Sequence, residues 1–156
     1  MSGESHITIE QTTRLAVARR IDHVAIATLD AGAAAAWYTH NFGMAIVGDE
    51  IVESAGVRLV YLAPRDRGPD AASMVQLAEP FADGNMRDFI ERKGEGLHHI
   101  CFAVDDIEQA LYGVDQSADT IFAGGRERRT CFLDEQPVNV LIELTEVEPG
   151  PGRTEK

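Results

Sequence analysis

The sequence predicts an α+β chain built as two tandem βαβββ modules, which share one curved mixed sheet around a metal-binding cleft. Three observations carry this. The segment IDHVAIATLDAGAAAAWY, starting at Ile21, aligns with LHHICFAVDDIEQALYGV, starting at Leu97. In that alignment Ile21 meets Leu97, His23 meets His99, Val24 meets Ile100, Ile26 meets Phe102 and Asp30 meets Asp106. The module ends repeat as well, MVQLAE at 74–79 resembling LIELTE at 141–146. Finally, each half offers one histidine in its first segment and one side-chain oxygen in its last, Gln76 or Glu143. An internal repeat of this kind means that each unit completes its core and its site against the other.

Each half opens on an alternating apolar run, which is the strand pattern. An aspartate follows, Asp30 or Asp106, placed as a helix N-cap before a helical stretch at 31–41 or 107–114. The first stretch is Ala-rich and carries Trp37 and Tyr38; the second has Ile107, Ala110, Leu111 and Val114 at helical spacing. Further strands are expected at 45–53 and 57–63 in the first half, and at 120–122 and 129–133 in the second. The last strands are 74–79 and 141–146. Between the halves, 86–92 reads as a short helix and 93–96 as the turn leaving it. Residues 1–19 read as an N-terminal extension, 20–147 as a single domain with modules at about 20–80 and 97–147, and the Pro/Gly-rich 148–156 as a flexible tail.

A formal charge of −12 and a pI near 4.7 argue against nucleic-acid binding, which needs a basic face. Arg126, Arg128 and Arg129 form a local basic cluster that can draw in an anionic small ligand or stand as a solvated loop. The two cysteines, Cys101 and Cys131, make no disulfide framework, and Cys101 is expected to be a small buried thiol. No apolar run reaches the roughly 18 residues a membrane helix needs. The N-terminus lacks the apolar core of a secretory signal, so a cytoplasmic protein is expected.

Side chains alternate along a strand, so His23 shares a face with Ala25 and Ala27, and His99 with Cys101 and Ala103. A sheet with a pseudo-twofold between the halves aims His23, Gln76, His99 and Glu143 at one point. Two imidazoles, an amide oxygen and a carboxylate suit one divalent ion (Co, Mn, Ni, Mg, Zn or Fe) with positions left for substrate. Taken singly, a strand histidine is more often a satisfied semi-buried residue than a ligand. Recurrence of all four at equivalent places shifts the balance to a metal site. The same alternation puts His98, the partner of Asp22 in the repeat, on the opposite face. His40 is expected in a helix-to-strand loop, and neither it nor His6 is given a role.

IDHVAIA, GEGLHHICFAVDDI and LIELTE resemble the vicinal oxygen chelate superfamily, which includes glyoxalase I. Within it, FIERKGEGLHHICFAVDDIEQAL at 89–111, VESAGVRLVYL at 52–62 and the His, Gln, His, Glu set look most like the methylmalonyl-CoA epimerases. The resemblance spans about Ile21 to Glu146. It implies an enzyme that chelates two substrate oxygens and stabilises an enolate alpha to a carbonyl, with Glu143 both a ligand and an acid/base group. It further implies an acyl-CoA substrate and a homodimer. Two positions depart from the epimerase pattern. Leu59 stands where a proton-transferring glutamate is expected. Tyr61, two residues on, shares its face, but a phenol is a poor base near neutral pH; Glu50 and Glu53 are nearby without a motif. The loop before the last strand is the acidic 133–139, where the family usually has a His-Pro-Lys-Ser-like loop. The alternatives are another metal-dependent isomerase, lyase or dioxygenase of the superfamily, and a non-catalytic small-molecule binder.

Overall fold

The computed structural model describes residues 18–67 and 73–147. The expected extension falls outside the described residues except for Ala18 and Arg19, which are already strand, and the expected tail falls outside from residue 148 onward. The chain runs β1 (Ala18–Ala27), α1 (Ala31–Phe42), β2 (Met44–Val52), β3 (Val57–Pro64), β4 (Met74–Pro80), α2 (Asn85–Lys93), β5 (Gly96–Val104), α3 (Ile107–Gly113), β6 (Phe122–Ala123), β7 (Arg129–Phe132) and β8 (Ile142–Glu146). Among the described residues, eight strands form one curled mixed sheet in the order β2-β3-β4-β1-β5-β8-β7-β6. The order is palindromic about β1 and β5, as the repeat requires.

The register carries the repeat to the level of single residues. β1 pairs with β4 in parallel with Ala25 opposite Gln76, and β5 pairs with β8 in parallel with Cys101 opposite Glu143. These are the same pairing, since Ala25 and Cys101 are repeat equivalents. At the antiparallel β1–β5 seam His23 lies opposite Cys101 and Ala25 opposite His99. The two histidines therefore sit diagonally across the pseudo-twofold axis.

Both helices that follow the first strands start where their aspartates cap them. Asp30 Oδ1 accepts from the Ala33 N–H at 2.9 Å, and Asp106 Oδ1 from the Gln109 N–H at 3.1 Å. A second pair of acceptors was not anticipated. Glu79 accepts from the Ala31 N–H at 2.6 Å, and Glu146 from the Ile107 N–H at 3.1 Å. These two glutamates are the last letters of the repeated MVQLAE and LIELTE. Each module thus ties its last strand to its own helix by satisfying an orphan N–H at the positive end of the helix dipole. α1 ends at Gly43, whose φ of 62° is the left-handed conformation that favours glycine. α1 packs Ala31 and Ala35 on Val60, Leu62 and Leu77 of one sheet face; α3 packs Ile107 and Leu111 on Val104, Cys131 and Leu144. The other face of the first module carries Leu59, Tyr61, Met74 and Ala78.

Three local expectations are corrected. His40 lies in the last turn of α1, not in a loop, because the helix runs on to Phe42 before Gly43 stops it. Residues 118–120 form a single 3-10 turn held by Ser117, and β6 shrinks to Phe122–Ala123. The third concerns Asp22 and His98. Ile21 opposes Phe102 and His23 opposes Cys101, so Asp22 is an extra residue in β1. Ala25 opposes His99 and Ile26 opposes Leu97, so His98 is an extra residue in β5. Both are β-bulges, at equivalent places in the repeat. A bulge suspends strict alternation and turns two consecutive side chains to one side.

Candidate metal centre and acid–base site

Three of the four residues picked out by the repeat bring donor atoms together. His23 Nε2 lies 3.2 Å from His99 Nε2 and 3.3 Å from Glu143 Oε1, and His99 Nε2 lies 3.4 Å from the same oxygen. All three side chains are buried. Ligands about 2.0–2.1 Å from one first-row ion, at tetrahedral to right angles, stand about 2.9–3.4 Å apart. The triangle thus has the dimensions of three ligands on one ion, and the chemistry of the set fits Zn²⁺ or a neighbouring divalent metal. Gln76 lines the same cavity. Its Nε2 donates to the Tyr61 hydroxyl at 3.2 Å, so the amide oxygen is the group it has to offer an ion.

The bulges supply a partner to each imidazole. His23 Nδ1 is 2.8 Å from Asp22 Oδ2, and His99 Nδ1 is 2.7 Å from His98 Nδ1. A partner on Nδ1 fixes the ring and turns the Nε2 lone pair toward the centre. His98 is therefore not on the far face. It lines the cavity with its ring edge-on to Phe89 and Phe132.

The charge states follow from these contacts. Burial alone would raise the Asp22 carboxyl, but hydrogen bonds from His23 and Arg126 overcome it and hold the group down to about 2. Burial opposes a charged His23, yet Asp22 and Glu143 raise it above its ordinary value. Glu143 is likewise penalised by burial and held low by the two imidazoles. His98 is pushed down to about 4, by burial first and by His99 second, so it is neutral and shares a hydrogen bond with His99 through the two Nδ1 atoms. Burial raises the Cys101 thiol far above its normal range, which fits the expected inert buried cysteine.

The arginine cluster is divided between two tasks. Arg126 hydrogen-bonds Asp22 through NH2, and Arg20 and Arg128 approach the same carboxylate at 3.6 Å and 3.7 Å. Arg129 instead pairs with Glu108 and Glu146 on the outside. Arg126 also lies over the Tyr61 ring, 5.1 Å from its centroid, and lines the cavity. It is thus neither a solvated loop residue nor a free anion site.

Tyr61 points into the cavity beside Leu59, as alternation predicts. Its hydroxyl donates to Glu50 Oε1 at 3.2 Å, and the Arg126 backbone N–H donates to the same oxygen at 2.7 Å. Burial, with Glu50 beside it, raises the Tyr61 hydroxyl above its usual range despite the opposing charge of Arg126. The cavity measures about 800 Å³ and takes in His23, Gln76, His99 and Glu143 at its floor. That is the size of a pocket for a substantial small molecule. Sequence reasoning missed Asp22, His98 and Arg126 as parts of the site and left Glu50 unassigned. The visible signal was the paired Asp22-His23 and His98-His99 dipeptides.

Comparison with known proteins agrees with the topology. The family model for the Glyoxalase/Bleomycin resistance protein/Dioxygenase superfamily matches residues 22–132. An uncharacterized protein, YqjC, of Bacillus subtilis is 31% identical, covering 81% of this chain and 91% of the relative. The ethylmalonyl-CoA/methylmalonyl-CoA epimerase of Cereibacter sphaeroides is 27% identical, covering 82% of this chain and 98% of the relative. Among solved structures, the Streptomyces coelicolor methylmalonyl-CoA epimerase is 30% identical with a TM-score of 0.75, covering 83% of this chain and 98% of that one. That enzyme has been solved with 2-nitronate-propionyl-CoA after substitution of a glutamate by glutamine or leucine, and after substitution of a glutamine by alanine. The spacing of that glutamate and glutamine equals the spacing of Leu59 and Gln76. These relatives support an enzyme of the isomerase class, as the residues led one to expect.

Proposed function

Because the chain belongs to the glyoxalase/bleomycin resistance protein/dioxygenase superfamily, we propose that it is a metal-dependent epimerase. Its substrate would be a 2-substituted malonyl thioester of coenzyme A, methylmalonyl-CoA being the first to try. The observation that carries this is the convergence of His23, His99 and Glu143 from both modules on one point in a cavity of about 800 Å³. The epimerase names borne by the relatives support it.

His23, Gln76, His99 and Glu143 would hold the ion. When bound, it supplies positive charge that lowers the cost of forming an enolate next to the thioester. Asp22 and His98 keep the two imidazoles in the tautomer and orientation that the centre needs. Glu143, buried at the cavity floor, moves a proton on one face of the substrate's alpha carbon. Phe132 and Leu59 keep the walls apolar, so charge on that carbon is not quenched by water. Leu59 moves no proton, but leucine there is compatible with an occupied site: the Streptomyces enzyme carrying that substitution holds 2-nitronate-propionyl-CoA.

Deuterium wash-in at the alpha carbon of methylmalonyl-CoA, with the enzyme metal-loaded, tests this directly. Exchange that requires the ion supports the epimerase. Full metal loading with no exchange would favour another metal-dependent isomerase or lyase of the superfamily, which Leu59 already makes the second reading.

A further inference from the structure

We propose that Tyr61, backed by Glu50, carries the proton on the side of the cavity where Leu59 has none to give. The proposal rests on the epimerase reading above. An epimerase needs an acid/base group on each face of a planar enolate. Glu143 serves one face, and Leu59 leaves the other without a carboxylate.

The structure puts one there by another route. Glu50 of β2 is the cross-strand partner of Leu59 of β3. Its carboxylate reaches the Tyr61 hydroxyl at 3.2 Å, and Tyr61 lines the cavity. A phenol oxygen has one proton and two lone pairs. The proton goes to Glu50, and one lone pair accepts from Gln76 Nε2 at 3.2 Å. The second lone pair is the one that can take a proton from carbon.

The second module is shaped to keep this pair in place. The turn before β7 lies on it so closely that a Cβ at Gly125 would collide with the Tyr61 hydroxyl and stand 2.9 Å from both Glu50 Oε1 and Leu59 Cδ1. The next residue, Arg126, is held at a φ of 59°, a left-handed conformation costly for a residue with a side chain. In that conformation its N–H donates to Glu50 at 2.7 Å while its guanidinium covers the Tyr61 ring. Strain retained beside a cavity is a mark of a functional constraint.

The step balances. The Cα–H bond breaks and its electron pair moves into the enolate. The proton goes to the Tyr61 oxygen as the Tyr61 hydroxyl proton passes to Glu50. In this direction Glu143 enters carrying a proton taken from solvent. It delivers that proton to the opposite face and leaves as the carboxylate, Glu50 leaves protonated, and exchange with solvent restores both carboxyl groups. The reverse epimerisation runs the same transfers backwards.

The test uses metal-loaded enzyme and each epimer of methylmalonyl-CoA separately in D₂O. Inversion and deuterium uptake are followed for the wild type, Tyr61→Phe, Glu50→Gln and the double variant Tyr61→Phe with Leu59→Glu. Tyr61→Phe should slow inversion by about 100-fold or more at nearly unchanged KM. It should still exchange, without inversion, the epimer whose proton faces Glu143. Glu50→Gln, which keeps the shape, should show the same split more weakly. Leu59→Glu should restore inversion to the Tyr61→Phe background. A wild type that inverts and a Tyr61→Phe variant that inverts within about threefold of it overturn this proposal alone. Equal loss of exchange and inversion on both epimers overturns it too, since that is the result of a purely structural role. A wild type that exchanges no alpha proton overturns the epimerase reading along with it.

Discussion

Replacing Asp22 by asparagine should cost the fold about 2–5 kcal/mol at neutral pH and much less in strong acid. Asp22 is 1% exposed and faces His23, Arg126, Arg20 and Arg128. Its carboxyl is held at about 2 against an ordinary 3.8, a difference worth about 2 kcal/mol. Removing one member of a buried charge cluster and leaving its partners raises the cost toward about 3–5 kcal/mol. The sign follows from the lowered folded-state value. The contribution is fully present above pH 3.8 and is lost as pH falls toward 2. Urea unfolding of wild type and Asp22→Asn, at neutral pH and again near pH 2, reads both quantities. A variant within about 0.5 kcal/mol of wild type at neutral pH would refute a stabilising role for the buried carboxylate. A deficit that is as large near pH 2 as at neutral pH would refute the charge argument.

Gly125→Ala should destabilise the chain by about 1–3 kcal/mol, because Tyr61, Glu50 and Leu59 leave no room for a methyl group; a thermal melt shows it as a lower Tm. Glu79→Ala should cost about 1 kcal/mol by orphaning the Ala31 N–H at the start of α1, measured by denaturant titration. Metal affinity should fall as pH drops. His23 is raised above 6.5 in the metal-free chain, and an ion must displace its proton, so calorimetric titration across pH 8 to 5 should show weakening that begins above 6.5.

Much of the fold was legible because the chain states it twice. The pairing of Ala25 with Gln76 repeats as Cys101 with Glu143, and Asp30 and Asp106 cap their helices as their positions require. The convergence of His23, His99 and Glu143 was readable from that repetition together with two-residue alternation. What alternation hid was the environment of these three side chains. Asp22 and His98 sit on bulges, and a bulge depends on how two strands register against each other, which neither strand's own sequence reveals. Arg126 and Gly125 were hidden for a similar reason. They belong to the second module but act on Tyr61 and Glu50 of the first, a contact between segments far apart in sequence. The glutamates that tie β4 and β8 to the helix starts were in view as repeat letters. Their role shows only once strand and helix are placed side by side.

The most direct measurement of the central claim is the metal content of the chain after mild purification and after titration with Co²⁺ or Zn²⁺. Wild type, His99→Ala and Gln76→Ala should be measured together, with circular dichroism to confirm that each is folded. About one ion per chain in the wild type, lost in His99→Ala and more weakly held in Gln76→Ala, is the expected result. A folded wild type that takes up no ion, or a His99→Ala variant that binds as tightly as the wild type, would contradict a metal centre shared by the two modules.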